Sequence, residues 1–196
     1  MLCTRVKAPN KSDWDKLIRL LKFLNGTRDD ALTLSADDLG VIKWYVDAAF
    51  AVHPDFKSHT GASMTFGRGA VQSLSRKQKL NTKSSTESEL VGADDGSVLI
   101  LWTKLFMEAQ GYMIRKNILY QDNKSTILLI NNGKRSSGKR TRALNIRYFF
   151  LTDQVEKGNL TIQYCPTGSM IADFQSKPLQ GAKFDQFRSD IMGFDK

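Results

Sequence analysis

Cysteine is scarce in this chain of 196 residues: Cys3 and Cys165 are the two it has, far apart and without a CxxC partner. That spacing excludes a disulfide framework and a thiolate zinc site, and both residues are expected as reduced thiols. Long apolar runs are also missing. A membrane-spanning helix needs roughly 18 or more consecutive apolar residues, and no stretch approaches that length. The opening segment MLCTRVKAPNKSDWDK has no apolar core of the kind a signal peptide carries. No membrane partner is expected, and an intracellular location, cytoplasmic or nuclear, follows by default. Histidine is as rare as cysteine, with only His53 and His59, both read as ordinary loop residues. There is no internal repeat and no low-complexity tract apart from one short basic loop.

What is there describes an ordinary globular protein, with 41% hydrophobic and 25% charged residues. A chain of this length buries one sizeable core. Its 29 Lys and Arg against 20 Asp and Glu leave a net charge of +9. Such an excess draws polyanions by long-range attraction and counterion release, so nucleic acid leads as partner and an anionic membrane surface comes second. Composition alone leaves a generic basic surface as an equal alternative.

From Ser12, a candidate cap, Trp14, Leu17, Ile18, Leu21 and Leu24 recur at helical spacing up to the stop at Asn25-Gly26. A soft boundary falls near residue 40, after the turn Asp37-Asp38-Leu39-Gly40. Lys43 to Phe50 then reads as a strand, and Ala62 to Phe66 and Ala70 to Leu74 as a hairpin around Gly67-Arg68-Gly69. Overlapping capping boxes, Ser84 with Glu87 and Thr86 with Glu89, open a long helical region towards Gln110-Gly111. Its core face is expected to include Val98, Leu101, Trp102, Leu105 and Ala109, with an interruption at Asp94-Asp95-Gly96-Ser97. Asn117 to Gln121 is a buried-type strand and Ser125 to Asn132 a short helix, an alternation that suggests parallel pairing. The basic loop Lys134 to Arg142 leads into a helix carrying Ile146, Phe149, Phe150 and Val155, and Leu160, Ile162 and Tyr164 alternate as a strand. A last helix is expected from Thr167 through Phe174, ending near Pro178, with a packing helix or tail over 181–196.

Four acidic residues sit where this layout can converge them: Asp47 within the first strand, Glu89 near the start of the long helix, Asp122 at the end of the fourth strand and Asp173 in the last helix. Like charges about 4 Å apart repel by roughly 4 kcal/mol per pair at an effective dielectric near 20, so such a cluster needs a cation. Oxygen ligands without His or Cys suit hard ions, Mg²⁺ above all. Two such ions can activate water and stabilise the leaving oxygen of a phosphodiester. Each residue also has a plainer reading. Glu87 and Glu89 suit helix caps, Asp173 a helix dipole and Asp122 with Asn123 an N-cap. Asp47 has no capping role, and a buried unpaired charge in an aromatic strand is costly.

Four motifs carry a resemblance. Tyr45-Val46-Asp47-Ala48 comes first, then Gln78-Lys79 with Ser84-Ser85-Thr86-Glu87-Ser88-Glu89, then Tyr120-Gln121-Asp122-Asn123-Lys124-Ser125. Tyr164-Cys165-Pro166-Thr167 with Ile171-Ala172-Asp173 to Lys177-Pro178-Leu179 completes the set. In that order, across residues 42–180, they resemble the successive motifs of the RNase H domain of Ty1/copia-type retrotransposon reverse transcriptases. The resemblance implies an α/β, RNase H-like fold, with a five-stranded mixed sheet, three antiparallel strands then two parallel, flanked by helices. It implies three segments: 1–40, the end of the polymerase or connection region; 41–180, the RNase H domain; and 181–196, a terminal helix or tail. It also implies a metal site of Asp47, Glu89, Asp122 and Asp173 holding two Mg²⁺ ions, replaceable by Mn²⁺, with Asp47 bridging both. Glu89 is preferred to Glu87 because it directly precedes Leu90-Val91, as in the family pattern. The implied activity is endonucleolytic hydrolysis of the RNA strand of RNA–DNA hybrids, leaving 5′-phosphate and 3′-hydroxyl ends.

Hybrid recognition of this kind rests on backbone and 2′-hydroxyl contacts. The candidates are Arg76, Lys77, Lys79, Ser85 and Asn123, with Lys134, Arg135, Lys139 and Arg140 of the basic loop; a solvated charged face is the alternative for each cation. The polymerase part of the same polyprotein is a further expected partner. The chain departs from the family at Thr141-Arg142-Ala143-Leu144, where a histidine is usual, and at Gln175-Ser176. Ala48 lacks the second carboxylate of a polymerase motif. A nucleic-acid-binding module of the same fold that has lost catalysis is the alternative, and an independent nuclease or integrase of the fold a third.

Overall fold

The computed structural model describes residues 2, 5–133 and 145–194, the side chains of 145–148 excepted. It divides into two compact units, Met1–Leu32 and Thr33–Lys196. The first is built on α1 (Lys11–Gly26). The helix is capped by Asn10 rather than Ser12: Asn10 Oδ1 accepts from the Asp13 amide at 3.0 Å, and Asp13 accepts from the Asn10 amide at 3.1 Å. This reciprocal capping box satisfies two of the donors a helix start leaves free. Arg5 holds the same aspartate at 3.1 Å.

The second unit begins with two short strands, β1 (Ser35–Ala36) and β4 (Gly67–Arg68), which form an antiparallel pair of their own. Its main sheet has five strands: β2 (Val41–Ala49), β3 (His59–Thr65), β5 (Gln72–Lys77), β6 (Lys116–Gln121) and β7 (Thr161–Tyr164). They lie in the order β5-β3-β2-β6-β7. β2, β3 and β5 pair antiparallel, whereas β6 lies parallel to β2 and β7 parallel to β6. This is the mixed sheet expected from the sequence.

Side chains alternate between the two faces of β2. Ile42, Trp44 and Val46 point to one face, where they are completely buried with Ala62, Leu119 and Ile100. Lys43, Tyr45 and Asp47 point to the other. There Tyr45 stacks on Tyr120 with ring centroids 4.8 Å apart, beside Cys165, Met170 and Ala172. Burial pushes the Tyr45 hydroxyl up to about 12 and the Cys165 thiol to about 11. Cys165 is a buried free thiol; Cys3 lies outside the described residues.

The long helix corrects two expectations. α2 (Ser85–Ala109) runs without interruption. Its core face is made of Glu89, Leu90, Ala93, Gly96, Ser97, Ile100 and Thr103, with Leu101 half-buried against the core as expected, whereas Val98, Trp102, Leu105 and Ala109 are exposed. The reason is close packing. A Cβ placed on Gly92 would lie 3.3 Å from the Ala48 methyl, and one on Gly96 3.3 Å from Val46, so the helix backbone seats directly on β2 through its small residues. Gly96, within the stretch where a break was expected, is part of the contact surface together with Gly92, and a propensity cost of about 1 kcal/mol each relative to alanine is offset by packing.

Beyond β6, α3 (Lys124–Asn132) is capped by Asn123 and stopped at Gly133, and α4 (Asn145–Glu156) packs against α2 and α3. The single helix expected from Thr167 is two pieces. A 3₁₀ turn at Thr167–Ser169 is followed by the four-residue α5 (Asp173–Ser176), which stops short of Pro178. α6 (Gly181–Met192) packs against α5, with Phe187 fully buried and Phe184 stacked on Phe174 at 5.1 Å. The basic loop, with Lys134, Arg135, Lys139 and Arg140, and the run Thr141 to Leu144 lie outside the described residues. No helix among the described residues is long and apolar enough to cross a membrane.

Candidate metal centre

The parallel pairing of β2 with β6 matches Tyr45 to Tyr120, so two residues further on Asp47 comes level with Asp122. Glu89 reaches the same point from the first turns of α2. One carboxylate oxygen from each of Asp47, Glu89 and Asp122 lies within 4.8 Å of the others. Asp47 is 0% exposed, Glu89 6% and Asp122 partly buried.

Glu89 is held by two donors on one oxygen: the Ala48 amide at 3.0 Å and Gln121 Nε2 at 3.3 Å both reach Oε2. Among the described residues both donors sit on that one oxygen, which leaves Oε1 for a proton or a cation. Burial and the neighbouring Asp47 and Asp122 push this carboxyl up to about 9. Asp47 is raised too, chiefly by burial, with Lys177 and Ser176 opposing the shift. Glu87 turns away and accepts from the Lys83 amide at 2.7 Å, while Ser84 caps the helix.

Asp173 also comes to Asp47, by way of a lysine. The Lys177 ammonium lies 3.1 Å from Asp47 Oδ1 and 2.6 Å from Asp173 Oδ1, and Lys183 holds Asp173 Oδ2 at 2.6 Å. Lys177 is raised above the usual lysine range because the two carboxylates outweigh its burial. The second oxygen of Asp47, Oδ2, accepts from the Ser176 hydroxyl. The fourth carboxylate is thus 1% exposed, with both of its oxygens on ammonium groups.

Four further residues build this arrangement without carrying charge to it. Gln121, fully buried, accepts at Oε1 from the amides of Asp122 and Asn123 at 2.8 and 3.0 Å while donating to Glu89. Thr167 donates to Asp122 Oδ2 at 2.9 Å. Ser176, part of the departure from the family pattern, reaches Asp47. Gly61 stands opposite Asp47 on β3, where a Cβ would meet Ala172 O at 2.6 Å and Ser176 N at 2.7 Å. Only a glycine lets α5 come this close to the sheet. The sequence signal for Gly61 is its place inside a strand, but the sequence pattern starts β3 one residue later.

The nucleic-acid candidates Arg76, Lys77, Lys79 and Ser85 are exposed, and Lys77 is paired with Asp55 at 2.7 Å. Asn123 accepts from the Thr126 amide at 3.0 Å as a helix cap. Arg76 follows Ser75, whose hydroxyl donates to Gln175 O at 2.8 Å, so this end of β5 adjoins α5. His53 and His59 bond to each other at 3.0 Å, and His59 to Ser75 at 2.8 Å. Burial lowers both imidazoles.

The sheet order and its flanking helices define an RNase H fold. The LC11-RNase H1 isolated from compost by a metagenomic approach superposes with a TM-score of 0.50 at 14% identity, covering 69% of this chain and 91% of its own. Homologues of the chain are retrovirus-related Pol polyproteins of plant transposons. It is 29% identical over 199 aligned positions, 94% of its length, to that of transposon TNT 1-94 from Nicotiana tabacum. Those of transposons RE2 and RE1 from Arabidopsis thaliana are 28% and 29% identical over 93% of the chain. The chain spans 12 to 15% of the length of these relatives. No protein-family model matches it.

Proposed function

We propose that this chain is the RNase H part of a retrotransposon Pol polyprotein and that it hydrolyses the RNA strand of RNA–DNA hybrids with a divalent cation. The observation that carries the reading is the meeting of Asp47, Glu89 and Asp122 within 4.8 Å on an RNase H sheet. The donor set fits Mg²⁺ or Mn²⁺: oxygen ligands only, crowded and buried enough to hold a proton on Glu89 until a cation replaces it. Asp47, Glu89 and Asp122 would hold it. Such an ion, when bound, polarises a phosphoryl oxygen and lowers the pKa of its water, the chemistry of phosphodiester hydrolysis.

The chain's own residues do the positioning. Gln121 fixes Glu89 and the Asp122 loop together, and Thr167 fixes the Asp122 carboxylate. Two ions, the number the family resemblance implies, require Asp173 as a ligand as well. Residues 1–40 are assigned to the end of the polymerase region, the rest of which is the proposed intramolecular partner. Exposed Arg76 and Lys79, with Ser85 and the basic loop, are proposed to lie along the hybrid backbone.

The test is cleavage of a hybrid labelled on its RNA strand, in Mg²⁺ and in EDTA, by the parent chain and by Asp47→Asn. Cleavage by the parent in Mg²⁺ alone is the expected result. Binding of the hybrid with no cleavage by either protein would leave the non-catalytic module in its place.

A further inference from the structure

Resting on the reading of Asp47, Glu89 and Asp122 as cation ligands, we infer that Lys177 is a resident cation of the centre. It takes the place between Asp47 and Asp173 that a second divalent ion would need. Each carboxylate oxygen on that side of the cluster is engaged. Lys177 holds Asp47 Oδ1 and Asp173 Oδ1 at 3.1 and 2.6 Å, Lys183 holds Asp173 Oδ2 at 2.6 Å, and Ser176 donates to Asp47 Oδ2.

The pairing is built into the chain, since α5 is a single turn that sets Lys177 four residues after Asp173 on the same side. The Lys177 amide also donates to the Asp173 carbonyl at 2.9 Å, which fixes the start of the side chain over the aspartate. Lys183 enters from the first turn of α6, with its ammonium 5.1 Å from the Phe187 ring. The Lys177 ammonium, seated between Asp47 Oδ1 and Asp173 Oδ1, occupies the oxygen pair a second divalent ion would use, whereas Asp47 Oδ2 accepts from a neutral hydroxyl and keeps a second lone pair for an ion shared with Glu89 and Asp122. The centre therefore takes one divalent ion at Asp47, Glu89 and Asp122 first, and a second only when Lys177 withdraws. The side chain has a route out, being 36% exposed on a flexible stem.

Calorimetric titration of Mn²⁺ into the purified chain counts the ions. The parent is expected to take one tightly, Lys177→Met to take two with the second bound at least ten-fold tighter than in the parent, and Lys177→Arg to behave as the parent. Two equally tight ions in the parent, or one ion in Lys177→Met, overturns the inference. Asp122→Asn separates it from the reading beneath: loss of the first ion there, with Lys177→Met still at one, overturns only the role of Lys177. Mn²⁺ binding unchanged by Asp122→Asn overturns both. If Lys177→Met folds only with cation present, it is refolded in Mn²⁺ and its bound metal counted by atomic absorption after gel filtration. Two ions retained per chain support the role of Lys177, and one overturns it.

Discussion

Gln121 donates from Nε2 to Glu89 Oε2 at 3.3 Å, across the gap between a strand end and a helix start. Its other atom, Oε1, accepts from the Asp122 and Asn123 amides, so one buried amide locks two of the three clustered carboxylates into register. Replacing it with leucine keeps the volume and leaves two backbone donors unsatisfied. Gln121→Leu is expected to lose about 1–3 kcal/mol in denaturant titration, the usual cost of buried polar groups without partners. Its first-ion affinity for Mn²⁺ should weaken as well. A variant as stable as the parent would mean that the amide does not hold these elements together.

The raised Glu89 carboxyl gives a pH dependence with a definite sign. In the unfolded chain it titrates near its ordinary 4.5, and in the fold at about 9. Between those values the folded protein keeps a proton that the unfolded chain has released, so stability is full at low pH and declines as pH rises through 9. Asp47 is raised in the same direction. Melting curves without divalent ions should therefore fall in midpoint from about pH 5 to pH 9, with Mg²⁺ restoring the loss. At pH 7, titration of Mg²⁺ in buffers of different ionisation enthalpy should show proton release on binding. Heats that do not depend on the buffer would count against it.

Gly61 is the position where the fold tolerates least. Gly61→Ala places a methyl against backbone atoms of Ala172 and Ser176, which cannot rotate away. The expected outcome is a loss of about 1–3 kcal/mol from overpacking, with α5 pushed off the sheet. Hybrid cleavage should fall more than stability, because Asp173, Ser176 and Lys177 move together away from Asp47. Cleavage at the parent rate would show that this approach is not needed.

The main strands were legible in the sequence for local reasons, and the three clustered carboxylates were candidates on local grounds that the family resemblance joined into one site, choosing Glu89 over Glu87. Asp47 is an unexplained charge in an aromatic strand, Asp122 ends an apolar run, and the Ser84 to Glu89 segment marks a helix start. What was hidden depends on packing between distant segments. Periodicity put the large apolar residues of α2 inward, but the helix seats on β2 through Gly92, Gly96 and Ala93, and Val98 and Leu105 face out. Lys177 and Lys183 were unreadable as partners of Asp173, because exposed lysines are common and only the broken helix at 167–176 brings them together. Gly61 and Gln121 act through neighbours that lie far away along the chain.

That inversion of α2 is itself testable. Ile100→Ala, at a fully buried position, is expected to cost about 2–5 kcal/mol in denaturant titration. Leu105→Lys, at a position 64% exposed, should stay within about 0.5 kcal/mol of the parent. Equal losses at the two sites would put the apolar stripe back in the core.

The most direct measurement of the central claim is anomalous scattering from crystals of the chain soaked in Mn²⁺. The account predicts a peak among Asp47, Glu89 and Asp122, with carboxylate oxygens about 2.0–2.3 Å from it, in the range of hard divalent ions bound by oxygen. A well-ordered map with Mn²⁺ bound elsewhere and those three side chains unoccupied would contradict it.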